Sequence, residues 1–360
     1  MARSTKARFV LPTRYKPEGA GSSGGFGHVT FCRDLHLDRL VAIKFIQDPA
    51  ESRRLKDEFQ ALLTLRSKHV VQVYDLVPGP EDTVGIVEEF IPGKDLFESD
   101  IPSSLNEYLR AIWQIASGIA DIHEAKIIHR DIKPNNMKFD GEGIIKIFDF
   151  GLARAEGAEA VTKNFVGTRG FAAPELYGTN TVPFSRAVDT YAFGATALYL
   201  ATRNLPKNIL QQPPSALADG TFRGLNLGLR SSLADLLQAT MEHDPAQRPL
   251  MSTIRDKIAR QLLRGKHQAL TVLNGKASYL NARNRVVKLE LPSVGKIEIS
   301  YDMYRFKVTA VSGEVAINNK PVVVGQEIPG SCVVALGGGH RQWFQRAYVT
   351  FDVSHPEVVL

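Results

Sequence analysis

The spacing of apolar positions changes twice along this chain. Between residues 15 and 46 the apolar runs are short and β-branched or aromatic, as in Val29-Thr30-Phe31 and Val41-Ala42-Ile43, with glycine or charged residues at their edges. Runs of this kind predict strands around a glycine-rich turn. Leu55, Phe59, Leu62 and Leu63 then fall at i, i+4, i+7 and i+8, one face of a helix. Two further strands fit residues 70–76 and 84–90. After Pro92-Gly93 the period becomes helical. Leu109, Ile112, Ala116, Ile119 and His123 share one face, and Leu233, Leu236, Leu237 and Met241 share another. Pro206, Pro213, Pro214 and Gly220 mark a long irregular connection. The helical pattern stops near Leu263, and Arg264-Gly265-Lys266 reads as a linker. From Ala269 short β-type runs return at 286–291, 296–300, 306–311 and 348–353, separated by Gly, Asn and Pro turns. A small β-sandwich is the expected product.

Composition narrows the picture. A chain of 360 residues, 44% apolar, is long enough for two or three domains with real cores. No stretch approaches the roughly 18 uninterrupted apolar residues of a membrane span. The basic start, Met1 to Arg8, has no apolar run behind it, so a secretory leader is not expected. Two distant cysteines, Cys32 and Cys332, argue against a disulfide framework or a Cys-rich zinc site and point to the reducing cytoplasm. The net charge of +6 is uneven: from Arg255 onward 15 Lys and Arg face 8 Asp and Glu, and the preceding residues are nearly neutral. Such an excess is either a solvated basic surface or a face for anions on phosphoproteins, nucleic acid or lipid headgroups.

Candidate chemistry comes in a fixed order. Ser22-Ser23-Gly24-Gly25-Phe26-Gly27-His28-Val29 is glycine-rich enough to bring backbone N–H groups close to phosphates. Lys44 ends the apolar strand Val41-Ala42-Ile43, and Glu58 lies on the helix after it. Then come His129-Arg130-Asp131-Ile132-Lys133-Pro134-Asn135-Asn136, Asp149-Phe150-Gly151, Gly167-Thr168 and Ala173-Pro174-Glu175. In this order the motifs resemble the eukaryotic-like serine/threonine protein kinase family. The resemblance covers about residues 9–262.

The resemblance implies an α+β, bilobal fold and an ATP-dependent phosphotransferase, with Mg²⁺ as cofactor and Mn²⁺ as an alternative. It makes Asp131 the catalytic base and Lys133 its neighbour at the γ-phosphate, a lysine typical of serine/threonine specificity. Asn136 and Asp149 would hold the metal, and Lys44, held by Glu58, the α- and β-phosphates. Ser22, Gly24, Gly25, Phe26 and Gly27 would cover the phosphates, Val29 and Ala42 would line the adenine pocket, and Glu89 to Ile91 would form the hinge. Arg130, Phe150, Thr162 and Thr168 are the candidates for regulation, Thr162 by autophosphorylation. Arg248 is placed to pair with Glu175. Partners would be protein substrates, and nucleic acid is not expected.

Some positions depart from the family pattern. Ser22 stands where the first glycine is usual, unless Gly21 takes that role. Glu88 falls at the back of the adenine pocket, usually apolar or Thr; it is either paired there or shifted by one residue in register. Lys138 sits at the pocket floor.

Residues 312–340 resemble the second half of a forkhead-associated domain, a β-sandwich that reads phosphothreonine. Arg283 and Ser293 would then contact a phosphopeptide, with Lys296 replacing that family's histidine, and a phosphoprotein would be a further partner. The expected organisation is a kinase domain over 9–263 (N-lobe 9–91, C-lobe 92–263), a linker over 264–268 and an FHA-like sandwich over 269–360. The alternative is a pseudokinase scaffold whose C-terminal domain is the main binding module; Lys44, Asp131, Asn136 and Asp149, all present, argue against it.

Overall fold

The computed structural model describes residues 11–18, 22–24, 27–45, 62–79, 83–100, 102–155, 161–162, 167–178, 182–273 and 275–354. The chain divides into two compact units, residues 1–255 and 256–360.

The first unit opens with β1 (Tyr15–Pro17), β2 (Ser22–Gly24), β3 (Gly27–Asp34), β4 (Arg39–Phe45), β5 (Val73–Pro78) and β6 (Val84–Glu89). They form one antiparallel sheet in the order β1-β3-β4-β6-β5, with β2 hairpinned onto β3. Register assigns the two faces, because directly opposed residues point the same way. Val41, Ile43 and Val87 pack with Tyr15, Cys32 and Val77. Ala42 opposes Glu88 and Lys44 opposes Ile86, so these four share the other face. Of the helix expected around Glu58, only Leu62 and Leu63 are described, in a helical turn with Leu62 buried.

Helices dominate the rest of the first unit. α1 (Leu105–Glu124) starts at Ser104, whose hydroxyl accepts from Glu107 N, while the Glu107 carboxylate accepts from Ser103 N at 2.7 Å. Its expected apolar face, Leu109 through His123, is buried. Gly118 permits a close approach: a Cβ there would lie 2.8 Å from the His69 carbonyl oxygen and 2.9 Å from Ile147 Cδ1.

Short strands succeed α1: β7 (Ile127–Ile128), β8 (Met137–Phe139), β9 (Ile145–Ile147), β10 (Arg154–Ala155), β11 (Val161–Thr162) and β12 (Val182–Pro183). β8 and β9 are a hairpin whose turn is held by Asp140, accepting from Glu142 N and Ile144 N at 2.9 Å each. α2 (Ala187–Thr202) is buried on all sides, as a central helix is. α3 (Ser231–Ala239) and α4 (Met251–Leu262) complete the series, and the boundary between the units falls inside α4. α3 is shorter than its apolar spacing suggested, with Met241 buried beyond its end.

The second unit is all-β. β13 (Ala269–Leu273), β14 (Lys276–Leu280), β18 (Val315–Ile317), β19 (Lys320–Pro321), β20 (Cys332–Leu336) and β21 (Ala347–Val353) make a six-stranded sheet, ordered β14-β13-β21-β20-β18-β19. β15 (Val286–Leu291), β16 (Gly295–Tyr301) and β17 (Phe306–Gly313) make a three-stranded one. Alternate residues of both sheets, among them Leu289, Ile299, Val308, Val334 and Phe351, meet in one core. This unit carries 14 Lys and Arg against 8 Asp and Glu, whereas the first holds 30 of each. Among the described residues no helix is long and apolar enough to cross a membrane.

Candidate active site

The loop His129–Asp131 follows β7 and is fixed from α2. Asp189, fully buried, accepts from His129 N and Arg130 N at 2.8 Å each and from His123 Nε2 at 3.0 Å. Burial by itself would raise the carboxyl's pKa; the hydrogen bond and charge of His123, with His129, hold it below the ordinary range. The clamp sustains a left-handed backbone at Arg130 (φ +70°), a conformation disfavoured in any residue with a Cβ. The Arg130 guanidinium reaches the Leu152 carbonyl at 3.3 Å and lies over the Phe184 ring. His129 accepts at Nδ1 from Asp131 N and donates from Nε2 to the Phe148 carbonyl, which fixes its tautomer. Phe150, buried, packs on the His129 ring at 4.9 Å between centroids.

The Asp131 carboxylate stands among three donors. Thr168 Oγ1 lies 2.9 Å from Oδ1, and Asn136 Nδ2 and Lys133 Nζ lie 2.8 and 2.7 Å from Oδ2. Lys133 also donates to Thr168 Oγ1 at 2.7 Å. The β8–β9 hairpin brings the next element alongside, since Phe148 N donates to the Asn136 carbonyl at 3.0 Å. Asp149 comes next, again left-handed at φ +72°, and its carboxylate pairs with Lys44. Residues predicted from separate stretches of sequence thus meet in one place. The expected partner of Lys44, Glu58, lies outside the described residues, as do Gly25 and Phe26. Ser22, Gly24 and Gly27 are placed by backbone only, in the β2–β3 hairpin, where Ser22 opposes Val29 and Gly24 opposes Gly27.

Beside this cluster is a cavity. Val29 and Ala42 of the sheet line it together with Ile91 and with Lys138 and Phe148 of the hairpin region. Lys44, Lys138, Glu88, Glu89 and Asp149 are the ionisable residues of its lining. Glu88 is only 7% exposed, and among the described residues no donor hydrogen-bonds its carboxyl. Burial, reinforced by the charge on Asp149 and opposed by Lys44, pushes its pKa up to about 8. The register is therefore as the sequence suggested, but the pairing it allowed for is not found among these residues. Glu89, next in the chain, is engaged instead: Lys146 Nζ lies 2.8 Å from Oε1, and Gln72 N donates to Oε2 at 3.2 Å.

A hard divalent cation fits the donors present. Asn136 spends its Nδ2 on Asp131, and its Oδ1 accepts no hydrogen bond from the described residues. With an oxygen of Asp149 it offers the sparse set of protein oxygens that suits a metal held largely by phosphates. No group of three His, Cys, Asp or Glu among the described residues could hold a metal without such help.

A model of the protein kinase domain matches residues 19–258. The chain belongs to the protein kinase domain family. Serine/threonine-protein kinase PrkC of Bacillus subtilis is 33% identical over 204 residues, 54% of this chain and 31% of that protein. The probable serine/threonine-protein kinase CPE1738 of Clostridium perfringens is 30% identical over 258 residues, 66% of this chain and 37% of that protein. Serine/threonine-protein kinase PknA of Corynebacterium glutamicum is 33% identical over 213 residues, 55% of this chain and 45% of that protein. The kinase chain thus spans less than half the length of each of these relatives.

Family membership bears out the expected β-rich and helical lobes, and all-β sheets do come after them. Glu175 takes Arg248 in a two-pronged pair at 2.7 and 2.9 Å, as the motif implied. The backbone of Thr162 lies in β11, opposite Val182. Arg283 and Ser293 are both exposed, but they sit at opposite ends of β15, so the structure does not bring them together. Asp189-Thr190-Tyr191-Ala192-Phe193-Gly194 resembles the start of the family's central buried helix, which speaks for the fold; that Asp189 also clamps the His129–Asp131 loop is not legible from it.

Proposed function

We propose that this kinase chain transfers the γ-phosphoryl group of ATP to serine and threonine hydroxyls of protein substrates, its own activation segment included. The observation that carries the reading is the alcohol already at Asp131: the Thr168 hydroxyl lies within hydrogen-bond reach of Oδ1 and of Lys133. An acceptor hydroxyl in the same neighbourhood would give its proton to Asp131 as its oxygen bonds to phosphorus and the β–γ anhydride bond breaks, releasing ADP. Lys133 would offset charge on the moving phosphoryl group. Lys44, released from Asp149 and held by Glu58, would orient the α- and β-phosphates under Ser22–Gly27. Asn136 and Asp149 would hold Mg²⁺ or Mn²⁺, which when bound neutralises phosphate charge. The base would lie between Val29, Ala42 and the hairpin, against the backbone of Glu89 to Ile91.

The names of the relatives support serine/threonine specificity. The reading takes 9–263 as the kinase domain and 269–360 as an accessory domain joined by 264–268. It places the protein in the reducing cytoplasm, consistent with two free, buried cysteines. A phosphoprotein partner for the second unit has its net positive charge as support, and the separation of Arg283 from Ser293 against it.

The test is incubation with labelled ATP and Mg²⁺, then mass spectrometry, for wild type and Asp131→Asn. Phosphoserine and phosphothreonine, Thr162 among the sites, are expected, with labelling down roughly 10²- to 10⁴-fold in the variant. Phosphotyrosine as the main product would overturn the specificity; equal labelling of the variant would overturn the role of Asp131.

A further inference from the structure

Glu88 is a buried ionisable group in the cavity for which phosphoryl transfer has no use. It lies on β6 between Ala42 of β4 and Val73 of β5, lines the cavity, and neither of these apolar neighbours can hydrogen-bond its carboxyl. The charged groups around it are Lys44 from β4, Asp149 after β9 and the adjacent Glu89. Lys44 pairs with Asp149, and Glu89 with Lys146. A buried carboxyl without a hydrogen bond is destabilising in either protonation state. Its exposure to the cavity means that a ligand, rather than the protein, can complete it.

We propose that Glu88 is a specificity-determining residue that reads the base of the bound nucleotide, selecting a purine with an amino group beside a ring-nitrogen acceptor. The inference rests on the nucleotide-binding reading above. Adenine presents N6–H as donor next to N7 as acceptor, while guanine presents O6 and N7, two acceptors. The neutral acid that burial favours has a carbonyl oxygen and an O–H side by side, and meets both groups of adenine at once. Against guanine its O–H can satisfy one acceptor, and its carbonyl oxygen then faces the other. A carboxylate would also accept from the amine and repel the oxo group. Both protonation states therefore prefer the aminopurine, and an apolar side chain at this position would read neither base.

Equilibrium binding of ATP, GTP and 7-deaza-ATP to the full chain tests this, using wild type, Glu88→Gln and Glu88→Met. Ratios are taken within each protein, so a partly unfolded variant does not bias them. Gln keeps a donor beside an acceptor and is expected to retain the ATP preference and the penalty for losing N7. In Met the ATP:GTP ratio is expected to fall roughly ten- to a hundredfold, with 7-deaza-ATP binding as well as ATP. Unchanged ratios in Glu88→Met, with ATP still bound, would overturn this inference alone. Failure of the wild type to bind any of the three would remove both the inference and the reading beneath it.

Discussion

Glu88 and Asp189 are two buried carboxyls with opposite responses to pH. Glu88 has a folded-state pKa of about 8, above the unfolded value of roughly 4.3, so between these values the folded protein binds more protons. Stability linked to this group is greatest at low pH and declines as pH rises through that window. Glu88→Met removes the dependence. Its melting temperature is expected to exceed that of wild type, by a margin that grows from pH 5 to pH 8 in thermal scans.

Asp189 is shifted the other way. Its pKa is lowered, so its contribution is complete above the ordinary carboxylate range and is lost as pH falls through the folded value. Asp189→Asn should cost about 3 kcal/mol near neutrality, since three donors then face an amide. The deficit, tracked by denaturant unfolding, should shrink below about pH 4. The same substitution should lower phosphoryl transfer, because the left-handed turn at Arg130 depends on it. Asp131, Lys133 and Asn136 fall within one short stretch of sequence, so the resemblance could name them together. Asp189 touches that loop from some 60 positions away, as the pairing with His129 shows, and no local pattern encodes such a contact.

Among the elements, α1 was the most legible, because five positions at helical spacing leave no competing strand pattern. β20 was missed for the converse reason. Val333, exposed, and Ala335, buried outside that core, are as apolar as the core residues Val334 and Leu336, so alternation is absent. β18 and β19, three and two residues long, are too short to show a period at all. The contact between α1 and β9 turns on Gly118. Gly118→Ala would drive a Cβ into the backbone at His69 and displace the strand that leads to Asp149. An overpacking loss of about 1–3 kcal/mol is expected, with a fall in transfer rate beyond what the folded fraction explains. Thermal melts and initial rates measured on the same sample would check it.

At the scale of the whole molecule, motifs spread from Lys44 to Arg248 converge within one unit, as their order had suggested, while the second unit keeps its own core. Net charge respects the same division, the first unit being balanced and the second carrying the excess. Replacing the exposed Arg283, Arg285 and Lys296 by Gln should move elution from a cation exchanger to lower salt and leave ATP affinity unchanged. A polyanion begins to attract the second unit from about a screening length away, near 8 Å at physiological salt, while the balanced unit feels no net pull. A partner rich in negative charge would therefore be drawn to the sandwich rather than to the balanced unit.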